Sequence, residues 1–388
     1  MHSEYLKLEV YKKLYSSNPK TFLEKRDIIR NFPHNFMNEK LKKAISFDEV
    51  EYTTTSGTTS DRMQIIRKKG WWMDEYKRTY KNHPLLKKCI DLSLPKAIFT
   101  TAICSNMVCY LNTPSYEERI INGTLYLNFK HNPWSWTKDD IENIIDEIKR
   151  FNVYYLDVDP VYFGIFLLKK DEYKISKEIP MPQIITISYE YSPLNLLNYI
   201  KTKLPCPILN LYGNTECGYI FIGDDNGHMK LCPDMIDVDF IKLEGSSNLY
   251  ELVISSYKNE YMPFIRYRLG DVVEMTKQQY IDFRKKSTVS KIIGRKKSIL
   301  KNNNKLITVS DIDGILTHFP DIILYQLIAI KNSAYIFKYI SHKKFLNKRI
   351  SDRLKERLEK LLDAEVQIKD VETITPELSG KFSLIKPL

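Results

Sequence analysis

Five short segments hold the residues whose types and spacing could do chemistry. Thr53-Thr54-Thr55-Ser56-Gly57-Thr58-Thr59-Ser60 crowds hydroxyls around one glycine. Closely spaced backbone N–H groups and hydroxyl donors make an anion nest, suited to the outer phosphates of ATP. Gly57 lets the backbone come close to such a ligand. No Gly-Lys-Ser/Thr follows, so the segment is not a Walker-type loop, and it reads equally well as a polar surface turn. Tyr212-Gly213-Asn214-Thr215-Glu216 offers a carboxylate, which a hard cation prefers. Arg266-Tyr267-Arg268-Leu269-Gly270-Asp271 ends in a carboxylate that can accept two neighbouring hydroxyls at once, or can pair with Arg266 or Arg268. Gly294-Arg295-Lys296-Lys297-Ser298 is a basic cluster, and Ser379-Gly380-Lys381 ends in a flexible ammonium able to meet developing negative charge.

The elements that must position these residues are legible in outline. Residues 1–50 read as helical and lysine-rich. Thr137 is expected to cap a helix, with Asp140 three residues on and Ile141, Ile144, Ile145 and Ile148 on one face. Residues 152–158, 183–188 and 207–211 read as buried strands, the first stopped by Pro160, and residues 194–202 as a helix between the last two. Helices alternating with apolar strands predict an α/β layered domain with parallel pairing. Loops at the carboxyl ends of parallel strands are where such sheets hold ligands, and Tyr212–Glu216 follows one. Beyond residue 230, 249–255 and 271–275 alternate like strands of a more irregular sheet. The last ~95 residues read as a separate unit. In it Ile350, Leu354, Leu358, Leu361 and Leu362 form an apolar helical stripe facing a core, and 324–330 with 333–340 supply strands.

Composition narrows the function classes. The 388 residues exceed what one small core needs, and 43% hydrophobic with 28% charged residues is ordinary for a globular protein. No apolar run approaches the ~20 residues that span a bilayer. The N-terminus lacks a basic stretch followed by an apolar one, and six cysteines in a chain this long suggest no disulfide framework, so a cytoplasmic location is expected. The net charge of +11 fits polyanionic ligands or a solvated basic surface. Seven scattered histidines support no nucleophilic triad. Cys217, His228 and Cys232 lie close in sequence, but not at the spacing of a zinc module, and no metal is expected there.

The order and spacing of the five segments resemble the adenylate-forming superfamily of acyl-CoA ligases, luciferases and adenylation domains, in its phenylacetate–CoA ligase-like or CapK-like branch. The resemblance implies an α/β fold: a large multi-layer N-terminal domain, residues 1–294, and a small mobile α+β C-terminal domain, residues 295–388. It implies ATP-dependent adenylation of a carboxylic acid, then acyl transfer to the thiol of coenzyme A or of a carrier protein's phosphopantetheine. It assigns Thr55, Ser56, Gly57, Thr58 and Thr59 to the phosphates, Tyr212 with Gly213 to adenine, and Thr215 to the α-phosphate. Glu216 falls to Mg²⁺, Asp271 and Arg295 to ribose, Lys297 to the hinge and Lys381 to the adenylation step. Ser188-Tyr189-Glu190 stands where the family has a Gly-Glu stretch lining adenine, without its glycine. Ser60, Asp61 and Arg62 replace the usual glycine and lysine of the phosphate loop, and Asn304 a common glycine. The implied substrate is an aryl or short hydrophobic acid, with residues 71–135 helping to shape its pocket, and an acyl-carrier protein is an expected partner. Nucleic acid is not. The alternatives are acyl transfer to an amine, a sugar or a protein side chain, or a non-catalytic basic binding protein on a degenerate form of the fold.

Overall fold

The computed structural model describes residues 2–16, 21–55, 62–100, 114–128, 130–223, 228–232, 234–302, 305–330, 334–343 and 346–388. The chain forms two compact units. One joins residues 1–87 to 211–292, the other residues 88–210 to 293–388.

The second unit holds the expected parallel sheet. Lys96–Phe99, Tyr155–Val158, Ile184–Ile187 and the start of Ile208–Asn214 lie side by side in that order. Phe99, Val158, Ile187 and Asn210 stand level at the carboxyl ends. The helix Lys138–Arg150 starts where Thr137 and Asp140 close a capping box, and it buries Ile141, Ile144, Ile145 and Ile148. A capping box satisfies two N–H groups that the first turn leaves orphaned.

Sequence reading missed the helix Pro160–Glu172. Pro160 ends the strand but also opens the helix at its first position, where its missing N–H costs nothing. Asp159 caps it, its Oδ1 accepting from the N–H groups of Val161 and Tyr162 at 3.0 and 3.2 Å. Residues 160–167 are buried on every side, so no amphipathic period marks the helix. Phe163 and Phe166 of this helix pack on Phe99, which meets Phe163 and Trp136 edge to face and Phe166 at a tilt.

The C-terminal part of this unit is a four-stranded sheet in the order Val366–Asp370, Ala334–Ser341, Ile322–Ile330, Ile385–Lys386. The helix Lys348–Leu362 buries Leu354, Leu358 and Leu362, while Ile350 and Leu361 stay half-buried. Asn195, on the helix Leu194–Lys203, binds this part through its side-chain amide. Carbonyls of Leu316, Phe319 and Ile322 lie 2.9, 3.0 and 2.8 Å from Nδ2. Asp313 accepts from the Tyr191 hydroxyl at 2.6 Å and from Leu194 N–H at 3.2 Å.

The first unit opens with short helices, among them Glu9–Tyr15 and Glu39–Ser46, and then the hairpin Val50–Thr54 with Gln64–Lys68. The end of Ile208–Asn214 pairs antiparallel with Gly218–Gly223. A second sheet runs Ile236–Lys242, Leu249–Ser256, Phe264–Glu274, Lys291–Arg295. Its strands and the early helices share one core, in which Tyr11, Phe36, Leu252, Met262 and Phe264 are fully covered. Among the described residues no helix is long and apolar enough to cross a membrane.

Candidate functional site

In the first unit two of the five segments meet. Tyr212, Gly213 and Asn214 end one strand of a hairpin, Gly218 opens the other, and Thr215, Glu216 and Cys217 form the turn. Asn214 Oδ1 accepts from Cys217 N–H at 2.6 Å and closes that turn. A Cβ on Gly213 would lie 2.5 Å from the Gly218 carbonyl oxygen and 2.8 Å from Tyr219 Cα, so only glycine lets the strands approach this closely. The Tyr212 hydroxyl donates to Asp271 Oδ2 at 2.6 Å, and the Tyr267 hydroxyl reaches Glu216 Oε1 at 3.4 Å. The strand Phe264–Glu274 thus touches the hairpin at both carboxylates. Asp271 is nearly buried, whereas Tyr212, Thr215 and Glu216 are half-buried. Arg268 makes a two-pronged bond to Glu251, at 2.9 and 2.7 Å.

Beneath the hairpin lies a charged cluster that sequence reading missed. Lys258 Nζ is 2.6 Å from Glu75 Oε1 and 2.6 Å from the Tyr219 carbonyl. Glu75 Oε1 also accepts from Tyr219 N–H at 2.9 Å, and its Oε2 from Arg78 at 3.0 Å. Trp71, Trp72 and Tyr76, from the aromatic-rich region expected to shape a pocket, pack here with Tyr219.

Of the phosphate segment only Thr53, Thr54 and Thr55 are described; Ser56, Gly57, Thr58 and Thr59 lie outside the described residues, as do Ser60 and Asp61. Thr55 is buried at the neck of the hairpin. Its N–H donates to the Met63 carbonyl at 2.9 Å and its hydroxyl accepts from Met63 N–H at 3.0 Å. Asn304 is likewise outside.

In the second unit Ser188, Tyr189 and Glu190 follow a parallel strand at its carboxyl end. The fully buried Asp157, on the next strand, accepts from the hydroxyls of Thr186 at 3.1 Å, Ser188 at 3.2 Å and Tyr189 at 3.4 Å. Lys96 Nζ stands 3.5 Å from the same carboxylate. Burial pulls the Lys96 ammonium down to about 8 against the opposing pull of Asp157. Tyr189 has φ of 77°, a left-handed backbone that glycine takes more readily. Glu190 Oε2 accepts from Phe382 N–H at 2.6 Å, which sets Lys381 beside it. Arg295 is exposed at the end of its strand, and Lys297 is exposed in the single 3₁₀ turn Lys296–Ser298.

Cys217 and Cys232 are buried while His228 is exposed, and among the described residues no three histidine, cysteine or acidic side chains are grouped to hold a metal. Glu216 is a half-buried carboxylate, an oxygen donor of the kind that a hard cation such as magnesium takes.

No known family profile matches the chain. The CapK protein of Staphylococcus aureus is 24% identical over 112 residues, 29% of this chain and 24% of that relative's length. Several solved structures share the fold. A 2-hydroxyisobutyryl-CoA ligase in its postadenylation state, bound to an acyl-AMP, matches 100% of this chain and 86% of its own, at 11% identity and a TM-score of 0.69. An anthranilate CoA ligase in complex with anthranoyl-AMP matches 86% of this chain and 65% of its own, at 12% identity and a TM-score of 0.59. The o-succinylbenzoate coenzyme A synthetase of Bacillus subtilis, in complex with ATP and a magnesium ion, matches 86% and 68%, at 15% identity and a TM-score of 0.54. The chain therefore has the mixed α/β fold of the adenylate-forming acyl-CoA ligases.

Proposed function

We propose that the chain activates a carboxylic acid with ATP. The acid's carboxylate attacks the α-phosphorus, an acyl-adenylate forms, and pyrophosphate leaves. The acyl group then passes to a thiol, that of coenzyme A or of a carrier protein's phosphopantetheine. One observation carries the reading most: the Tyr212–Asp271 hydrogen bond joins two of the five segments within a fold shared with such ligases.

In this reading Asp271 accepts the ribose hydroxyls, Arg295 adds a donor, and Tyr212, Ser188, Tyr189 and Glu190 border the base. Thr55 to Thr59 hold the outer phosphates and Thr215 the α-phosphate. Lys381 brings an ammonium to the charge that builds between carboxylate and phosphorus. Glu216 would hold magnesium, which, when bound, neutralises phosphate charge that would repel the attacking carboxylate. Residues 1–294 and 295–388 act as the two lobes, with Lys297 at the hinge. An aryl or short hydrophobic acid is the proposed substrate.

The test is exchange of labelled pyrophosphate into ATP across a panel of carboxylates. Exchange is expected with one acid class and is abolished by Lys381→Ala. Salt-sensitive nucleic-acid binding, with no exchange for any acid, would favour a basic binding protein instead.

A further inference from the structure

The segment that carries Lys381 is gripped by residues that none of the five segments contains. Trp134 Nε1 donates to the Ile374 carbonyl at 2.7 Å. Glu377 N–H donates to the Lys381 carbonyl at 2.9 Å and Gly380 N–H to the Glu377 carbonyl at 2.8 Å, which closes a turn. The Phe382 ring meets Tyr162 edge to face, 5.6 Å between centroids. Phe382 N–H ends on Glu190. The carboxyl of Glu190 stands against that of Asp159. Two carboxyl groups can bond each other only if one carries a proton. Asp159 Oδ2 and Glu190 Oε1 are buried, and neither has a hydrogen-bond partner among the described residues.

We propose that Asp159 is a positioning residue: it shares one proton with Glu190, and the pair so held fixes the backbone of Lys381 and Phe382.

Each contact has its reason. Asp159 is immobile because its other oxygen caps the helix Pro160–Glu172, whose second residue after Pro160 is the Tyr162 that packs on Phe382. Burial raises both carboxyls, Asp159 to about 6 and Glu190 well above its ordinary value, where the nearby Asp159 charge adds to the effect. The Lys381 ammonium acts on both and opposes the rise. At neutral pH the pair then holds one proton and one negative charge beside one ammonium. Losing that proton would force two negative charges together out of water. The role for Lys381 rests on the proposed adenylation; the pairing itself does not.

The test needs neither ATP nor acid, so it stands or falls apart from the exchange assay. Wild type at neutral pH should show the infrared band of a buried protonated carboxyl, and both Asp159→Asn and Glu190→Gln should lose it. Hydrogen-exchange protection of the Phe382 amide, corrected for intrinsic exchange, should fall in wild type as pH rises through the pair's second ionisation. Glu190→Gln mimics the protonated acid and keeps the acceptor, so its protection should stay high and independent of pH. Glu190→Ala should lower protection by about ten- to a hundredfold, as expected for a lost bond to a carboxyl. A band that persists in either neutral variant means that one carboxyl keeps the proton alone. That result overturns the proposal, and so does the same pH dependence in Glu190→Gln and wild type.

Discussion

Lys258→Met should destabilise the first unit by about 3–5 kcal/mol, the cost of breaking a buried ion pair from one side. Glu75 and Lys258 have side chains 0% and 1% exposed and stand 2.6 Å apart. Methionine fills much of the lysine's volume, so cavity formation contributes little. What remains is a buried carboxylate with Arg78 and Tyr219 N–H but without its nearest cation, and a Tyr219 carbonyl without its donor. The equivalent change in the folding equilibrium is a factor of roughly a hundred to several thousand. Urea unfolding followed by tryptophan fluorescence suits the measurement, since Trp71 donates to the Lys258 carbonyl at 3.1 Å and reports on this spot. The decisive variant is the double substitution Glu75→Gln with Lys258→Met. It removes both charges and keeps an acceptor for Tyr219 N–H, and it should recover more than half of the loss. A double variant no more stable than Lys258→Met would refute the electrostatic account and assign the cost to packing.

Three further outcomes follow from the geometry. Tyr212→Phe removes the 2.6 Å bond to Asp271, and AMP affinity measured by calorimetry should fall about ten- to a hundredfold, as expected from the ~1.5–3 kcal/mol of a hydrogen bond to a charged group. Gly213→Ala drives a methyl into the Gly218–Tyr219 backbone, so it should open the hairpin and abolish AMP binding with little loss of the parallel-sheet circular dichroism. Lys96 is the case for pH. Its folded pKa of about 8 lies below the ordinary lysine value of 10.5, so between these limits the unfolded chain binds more protons and stability rises with pH. The unfolding free energy of wild type, measured relative to Lys96→Met, should therefore climb from about pH 8 to 10.5 and be flat below.

The local signals were readable from sequence. Thr137 and Asp140 announced their helix, and the isoleucines their face. The strand after residue 152 was placed three residues early, because Asn152 has φ of 52° and the chain turns before it pairs. The five segments were visible as compositions, but their meetings were not. Tyr212 and Asp271 are 59 residues apart, Glu190 and Phe382 are 192 apart, and no periodicity links them. Asp157 and Asp159 carried a signal that went unused. Two acids in a fully buried strand end, the second before a proline, cannot stay there without partners. Glu75 and Lys258 carried none, since each sits in an ordinary polar context along the chain.

Asn195 has two amide hydrogens and three carbonyls within reach. One of those carbonyls, that of Leu316, closes the helix Val309–Leu316, so the helix borrows its terminal cap from a residue more than a hundred positions earlier. Pulling the two pieces apart would strip that cap in the same motion. Separation and fraying would then be one event, and any rearrangement that frees residues 309–316 from residues 194–203 must rebuild the helix end with water before it can rest.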